Sequence, residues 1–294
     1  MIAPVPTLSG FLEETYLAER FITDGAAEQL RVAVRTFCRF LGRDPSLAEL
    51  CKTDLLGWLK EMVNTRSPST INSKRQAILS VWRAAAAVGL SSDPPRIPRM
   101  VEPQILPVAW TLADLNRLIG SCGNLRGDWH GLPVSLAWRI LLMVLWDTGA
   151  RINTMLLARV ADIEFAHSSM FVPARNLKGR KADRLFQLHP QTVALVEESM
   201  AWPRGRLFPW PYSRRHLWTA FTRLLKAAGL PCDRRHKFHC IRRTCASFAA
   251  QSRGIEWTAA AIGHSAQVCR ERYISPLIYH GPSLVEALPR PTFR

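Results

Sequence analysis

The chain has 294 residues, of which 48% are hydrophobic and 21% are charged. This balance excludes a disordered chain and leaves room for two folded domains. Lys and Arg number 39 against 23 Asp and Glu, which gives a formal net charge of +16. Such a surplus favours a polyanionic partner, nucleic acid above all, over the alternative of a basic surface that only aids solubility.

Residues 1–92 have the apolar periodicity of helices, and we predict a helical domain there. One helix carries apolar residues at three- and four-residue steps and basic residues on another face (Leu30, Val34, Phe37, Leu41; Arg31, Arg35, Arg39). Ser69 is predicted to cap a second helix, which carries Lys74, Arg75 and Arg83 beside its apolar residues. Solvent exposure and contact with phosphates explain these basic faces equally well.

A proline-rich segment, residues 93–108, follows the helical domain. Its prolines are Pro94, Pro95, Pro98, Pro103 and Pro107. Because proline donates no backbone hydrogen bond and disrupts a helix, we predict that this segment is an extended linker. The second domain then occupies residues 109–294.

The second domain is predicted to be helical with one small β-hairpin. Thr111 is expected to cap its first helix, and a helix from about Pro133 to Asp147 is apolar on nearly all sides. Two short strands at 170–173 and 185–188 are joined by a loop, Asn176 to Lys181, that contains turn-forming Asn and Gly. Further helices are predicted at about 191–201, 213–228, 239–252 and 255–262.

The seven cysteines form no CxxC pair, and we expect reduced thiols in a cytoplasmic protein. Several Cys and His residues cluster near one another, but their spacing fits no common zinc module, so no metal is expected (Cys232, His236, His239, Cys240, Cys245). The N-terminus lacks the features of a signal peptide. The most apolar run, Leu132 to Trp146, is too short to span a bilayer and contains Arg139, so no membrane partner is expected.

Four short motifs in the second domain carry residues suited to one reaction. They are Thr148-Gly149-Ala150-Arg151, His239-Cys240-Ile241-Arg242, Gly263-His264, and Tyr273 nine residues after that histidine. Attack of a phenol on a phosphodiester without metal requires fixed positive charge at the non-bridging oxygens. Guanidinium groups supply it through a planar fork of donors. The stretch from Arg204 to Arg243 adds eleven basic residues and a single acid.

The order, spacing and context of these motifs resemble the tyrosine recombinases, the phage-integrase and Xer-like family. In that family an Arg in a TGxR turn, a Lys in a β-hairpin, HxxR, GH and a nucleophilic Tyr follow in this order. The resemblance covers nearly the whole chain and is nearer the short Xer plan than the longer phage integrases. It implies a mainly α fold with an N-terminal helical core-binding, SAM-like domain and an α-helical catalytic domain with a small β-hairpin or sheet.

The resemblance gives the arginines and histidines roles at the phosphate. Arg151 and Arg242 would clamp its non-bridging oxygens, which such preorganised donors stabilise in a transition state. His264 would donate to a non-bridging oxygen. His239, three residues before Arg242 on one helix face, would bind the phosphate or help to accept the tyrosine proton.

Tyr273 would be the nucleophile, and Tyr279 is its one credible rival. A phenol is a weak nucleophile at neutral pH, so neighbouring cations must favour its anion during the attack. Lys178 matches the hairpin lysine that gives the leaving 5′ oxygen its proton in the family. Lys181 lies in the same loop and remains an open alternative.

The implied protein is a site-specific DNA recombinase or integrase that cleaves and rejoins single strands through a 3′-phosphotyrosyl intermediate without a cofactor. Its expected partners are double-stranded DNA and three further copies of itself, as a homotetramer on paired sites, with Pro276 to Arg294 docking between subunits. The alternatives are a type IB topoisomerase-like enzyme that relaxes DNA and a non-catalytic DNA-binding protein of the same fold. Two positions depart from the family: Thr154 replaces a frequent acid, and Arg243 replaces a frequent His.

Overall fold

The computed structural model describes residues 5–177, 179, 182–202 and 205–280. These residues form a mainly helical structure with two small antiparallel sheets, which confirms the fold class predicted from the sequence. The chain separates into two compact units, divided between Pro103 and Gln104. Lys178, Lys181 and the tail segment 281–294 lie outside the described residues.

The α-helices described in the first unit are α1 (Leu8–Phe11), α2 (Asp24–Leu41), α3 (Lys52–Glu61) and α4 (Pro68–Ala87). The side chain of Thr23 caps α2 by accepting a hydrogen bond from the backbone N–H of Ala26. The predicted cap of α4 is wrong, because Ser67 rather than Ser69 occupies that position. Pro68 is then the first helical residue, where its missing N–H leaves no bond unmade.

The core of the first unit lies between these helices. The rings of Phe37 and Trp58 are 5.2 Å apart, and Trp82 of α4 is buried beside them in the same cluster. The proline-rich segment has no helix or strand, but Ile97 is buried in this core. The side chain of Asn72 bonds both the backbone N–H and the backbone oxygen of Met100, each at 2.9 Å. The beginning of the segment is thus bound to the first unit.

The helices described in the second unit are α5 (Leu112–Ser121), α6 (Val134–Thr148), α7 (Ile152–Leu157), α8 (Pro190–Glu198), α9 (Arg214–Ala227), α10 (Phe238–Arg253), α11 (Ile255–Ile262) and α12 (Ala266–Arg272). The four helices predicted after the hairpin correspond to α8–α11, and Thr111 caps α5 as predicted. The sequence did not predict α12. It begins after Ser265, whose side chain accepts a hydrogen bond from the backbone N–H of Val268.

Helix α6 is buried on most of its surface and packs against α8 and α10. Its Trp138 stacks with Phe221 of α9 and Phe238 of α10, at ring distances of 6.1 and 6.3 Å. Because α6 packs on several sides at once, the turn that follows it starts from a fixed position.

Two antiparallel sheets accompany these helices. The first is a short hairpin of β1 (Asp128–Trp129) and β2 (Leu132–Pro133). The second has the order β3 (Ile163–Glu164), β4 (Ser169–Val172) and β5 (Arg184–Gln187). The predicted hairpin is β4–β5, with each strand one residue earlier than expected, whereas β1, β2 and β3 were not predicted. In the register of β4 and β5, Val172 pairs with Arg184.

Candidate active site

The motif Thr148 to Arg151 forms the turn between α6 and α7. Gly149 ends α6 with φ +55°, a left-handed conformation that glycine adopts without a steric penalty. The backbone N–H of Ala150 donates to the hydroxyl of Thr148 at 3.1 Å. Arg151 then precedes α7 in extended conformation. The local sequence therefore fixes where the Arg151 side chain starts.

Helix α10 places Arg242 in the interior of the second unit, with 4% of its surface exposed. Its guanidinium donates to the backbone oxygen of Gly149 and, at 2.7 Å, to the backbone oxygen of Ile262. Arg242 thus joins the end of α6 and the end of α11 to α10. This network holds three of the four motifs in one place.

Gly263 ends α11 with φ +74°, and the backbone N–H of His264 donates to the oxygen of Ala259 at 2.8 Å. The side chain of His264 meets Arg151, with 2.8 Å between its Nε2 and the arginine Nη2. Because a guanidinium only donates, Nε2 of His264 accepts in this contact. The ring proton therefore lies on Nδ1 in the arrangement described.

Tyr273 follows the last residue of α12, and 5% of its surface is exposed. Its ring centroid lies 4.8 Å from the ring of His264 and 5.2 Å from the ring of His239. The guanidinium carbon of Arg242 lies over the same ring, 5.1 Å from its centroid. The structure therefore brings both histidines, the tyrosine and both arginines of the motifs into one site.

The electrostatics of this site favour an added negative charge. Protein packed around the imidazole lowers the pKa of His239 to about 4, and the positive charges of Arg243, Arg242 and Arg151 act in the same direction. Part of His239 is nevertheless exposed, so it remains accessible to an external anion. The Nε atoms of Arg242 and Arg243 are buried and have no hydrogen-bond partner among the described residues. A phosphate would supply both the missing charge and acceptors.

A cleft of about 320 Å³ opens beside these residues. Arg151, Arg242 and Gly263 line it on the helical side, and Leu177 and Arg184 line it from the hairpin. Lys178, the expected proton donor, and Lys181, its alternative, lie in this hairpin loop but outside the described residues.

Thr154, which stands where the family often has an acid, is buried in α7 with 3% of its surface exposed. Its hydroxyl donates to the backbone oxygen of Asn176 at 3.1 Å. Asn176 lies two residues before Lys178, so Thr154 binds the beginning of the hairpin loop to the helix that follows Arg151.

The remaining sequence candidates make other contacts. Tyr279 packs at the edge of the apolar cluster formed by α10, α11 and α12. His236 pairs with Asp233, at 2.7 Å, and burial raises the pKa of the Cys240 thiol to about 12. Across the described ranges, no group of three or more His, Cys, Asp or Glu side chains is placed to hold a metal ion. The seven cysteines are free thiols.

Arg184 is a cleft residue that the sequence did not point to. It lies between the hairpin and the end of α11, where its guanidinium donates to backbone oxygens of Ala260 and Ala261. A single arginine at the start of a short strand carries no motif, so sequence reasoning had no signal for it.

Comparison with known proteins shows which family this chain belongs to. The family model described as the phage integrase family matches residues 113–277, more than half of the chain. The chain belongs to the phage integrase family. Relatives named "Integrase/recombinase" from Escherichia coli and from Pseudomonas aeruginosa are each 32% identical to it over 176 residues. The match covers 58% of this chain but 47% of each relative, about half of their length.

Solved structures of integrases and a Xer recombinase share the fold. The Tn1549 transposon integrase, in complex with a circular intermediate DNA, has a TM-score of 0.71 at 14% identity and covers 96% of this chain and 97% of its own. A lambda integrase tetramer bound to a Holliday junction has a TM-score of 0.67 at 15% identity, and the match covers 91% of this chain and 78% of the lambda integrase chain. The XerH recombinase in a post-cleavage complex has a TM-score of 0.65 at 18% identity, and the match covers 83% of this chain and 75% of XerH. Among the described residues, no helix is both long enough and apolar enough to cross a membrane.

Proposed function

We propose that the chain is a site-specific DNA recombinase that cleaves and rejoins strands through a covalent bond between Tyr273 and a 3′ phosphate. The observation that carries the proposal is the convergence of one tyrosine, two histidines and two arginines from four separate motifs. The tyrosine ring lies within 5.2 Å of both imidazole rings. Metal-free transesterification needs this combination of a nucleophile, a proton acceptor and fixed cations.

In the cleavage step the oxygen of Tyr273 forms a bond to phosphorus while the bond from phosphorus to the 5′ oxygen breaks. The phenol proton passes to His239, whose pKa of about 4 leaves it neutral at pH 7. Lys178 is proposed to give the leaving oxygen its proton. The products are a 3′-phosphotyrosyl bond and a 5′-hydroxyl. Attack by a 5′-hydroxyl of the partner duplex reverses these steps, so no energy source is consumed.

Arg151 and Arg242 are proposed to bind the two non-bridging oxygens. The buried Nε of Arg242, which lacks an acceptor among the described residues, is one donor for them. Arg151 donates to His264 in the structure described. The phosphate would replace His264 as the acceptor of that bond, and the ring N–H of His264 would donate to the same phosphate.

The proposal extends to the assembly. The formal net charge of +16 and the DNA complexes of the lambda, Tn1549 and XerH proteins support double-stranded DNA as the partner. The lambda integrase tetramer supports a homotetramer on paired sites. Pro276 to Arg294 is proposed to dock between subunits. Deletion after His280, which leaves Tyr279 packed in its cluster, should impair assembly on paired sites more than DNA binding by one chain.

The test is covalent capture on nicked duplexes with randomised cores, whose cleaved end diffuses away and traps the adduct. Wild type should form a protein–DNA adduct, and sequencing the captured DNA identifies the target. Tyr273→Phe should form none, whereas Tyr279→Phe, the matched control, should react like wild type. An adduct that persists in Tyr273→Phe and is lost in Tyr279→Phe contradicts the assigned nucleophile. Absence of any wild-type adduct favours a non-catalytic DNA-binding protein.

Two plasmid assays then separate recombination from relaxation. One plasmid carries two copies of the captured sequence, and a second plasmid carries none. A recombinase exchanges segments only when both sites are present. A topoisomerase-like enzyme relaxes both plasmids and exchanges nothing, and this result would overturn the proposed function.

A further inference from the structure

Arg184 lies at the start of β5 and takes no part in the chemistry proposed above. Its Nη1 donates to the backbone oxygen of Ala261 at 2.9 Å, and its Nη2 donates to that of Ala260 at 3.2 Å. The last carbonyls of a helix lack the donors that continue its hydrogen-bond ladder, and a cation there also stabilises the helix dipole. Arg184 thus caps α11 from the sheet.

The same guanidinium lies directly against Gly263. A Cβ atom at this position would overlap it, with 2.7 Å to the Cζ of Arg184. Gly263 also has φ +74°, which disfavours side chains independently. The backbone angle therefore favours glycine here, and any side chain at this position would also displace the guanidinium of Arg184.

A second arginine holds the neighbouring carbonyl, since Arg242 donates to the oxygen of Ile262. The end of α11 is accordingly bound by one guanidinium from β5 and by another from α10. His264 follows this doubly bound turn and reaches Arg151 across 2.8 Å.

From these contacts we propose that Arg184 is a positioning residue for His264, fixing the end of α11 so that the imidazole meets Arg151 and Tyr273. Both Nη atoms of Arg184 bond carbonyls at the end of α11, and the third test below distinguishes this role from a direct contact with DNA phosphate. The effect of Arg184 on catalysis rests on the proposed function, whereas its effect on the position of His264 is independent of that function.

The first test measures the imidazole directly, in the DNA-free protein. Ring signals of His264 are recorded by NMR in wild type and assigned by their loss in His264→Gln. Arg184→Ala should shift these signals and remove the pattern of an accepting Nε2, while Arg184→Lys should shift them less. Arg175→Ala removes an exposed arginine near the same hairpin and should leave them unchanged. Unchanged His264 signals in folded Arg184→Ala would overturn the proposal.

The second test is a double-mutant cycle on the contact with Gly263. Gly263→Ala should lower Tm in the wild-type background through both the overlap and the backbone strain. In the Arg184→Ala background the same substitution should lower Tm by less, because the overlap is gone. Equal losses in the two backgrounds would show that Arg184 does not set the requirement for glycine.

The third test measures single-turnover adduct formation at saturating DNA. Arg184→Ala should slow it by about 10- to 100-fold, the scale expected for a displaced catalytic group, with little change in DNA affinity. Arg184→Lys should recover part of the rate, and Arg175→Ala should match wild type. Equal losses of rate and affinity would make Arg184 a DNA contact and overturn the positioning role. If wild type itself forms no adduct, the proposed function fails, and the NMR result alone decides the role of Arg184.

Discussion

The rings of Tyr273 and His264 lie 4.8 Å apart within a single chain. Tyr273 is buried in the apolar cluster that α10, α11 and α12 form, together with Ile262, Cys269 and Ile274. Its backbone oxygen also accepts a hydrogen bond from the Ser247 hydroxyl at 3.3 Å. The proposed nucleophile is therefore held beside the histidines of its own chain, and we expect it to act there without a second chain.

Cleavage in cis is the first prediction. A mixture of Tyr273→Phe and Arg151→Ala proteins should form no more adduct than either variant alone, because no chain then carries both groups. The measurement is adduct formation on the captured target duplex. Wild type mixed with Tyr273→Phe is the control and should react in proportion to its wild-type content. Recovery of the adduct by the two-variant mixture would show that the tyrosine acts in trans.

His239 gives the second prediction, on stability against pH. Its pKa of about 4 in the folded chain lies below the value of about 6.5 for an unperturbed histidine. The unfolded chain therefore binds the extra proton first as pH falls, so the folded state loses stability between about pH 6.5 and pH 4. Because the residue is partly exposed, solvent reduces the size of this loss.

Thermal unfolding across this pH range measures the effect. The Tm of wild type should fall more steeply than that of His239→Gln, which has no such proton to bind. His167→Gln removes an exposed histidine and should follow the wild-type curve. Parallel curves for wild type and His239→Gln would contradict the depressed pKa.

The sequence was sufficient for features whose cause is local. Helix periodicity located α8–α11, and a glycine after a buried helix predicted the turn that carries Arg151. The spacing of His239 and Arg242 on one helix followed from the geometry of the helix itself. The cap of α4 could also have been predicted correctly, because proline favours the first helical position, and Pro68 there makes Ser67 the cap.

Features that depend on contacts between residues far apart in the sequence could not be predicted. Arg184 acquires its partners because the register of β4 and β5 brings it to the end of α11, more than seventy residues later. The bond from Thr154 to Asn176 likewise joins a helix to a loop that local pattern does not connect. The two-residue strands β1, β2 and β3 are too short to show an alternating pattern.

Arg242 gives the third prediction, which separates its structural role from its charge. Arg242→Ala should lower the free energy of unfolding by about 2–4 kcal/mol, because it leaves the buried oxygens of Gly149 and Ile262 without this donor. Arg242→Lys keeps the charge and should lose less stability. It loses the planar fork, however, and adduct formation should still fall by about 100-fold or more.

Denaturant unfolding and single-turnover cleavage measure the two effects. Arg253→Ala is the matched control, because Arg253 is exposed on the same helix. It should stay within about 0.5 kcal/mol of wild type and cleave normally. Full activity of Arg242→Lys would show that a single positive charge suffices at this position.

Thr154 gives the fourth prediction, which concerns the hairpin loop. Thr154→Val removes the donor to Asn176, and Thr154→Ser keeps it but deletes a buried methyl group. Each should lower the free energy of unfolding by about 1 kcal/mol, for these different reasons. Stability therefore cannot distinguish the two variants, but cleavage can.

If the bond to Asn176 sets the start of the loop that carries Lys178, Thr154→Val should slow adduct formation several-fold and Thr154→Ser should not. A substrate whose 5′ oxygen is replaced by sulfur needs no proton at the leaving atom, so it should react equally with both variants. This rescue ties the loss to proton donation rather than to general loosening of the site. Equal rates for the two variants on the ordinary substrate would show that the hydroxyl of Thr154 only fills a buried position.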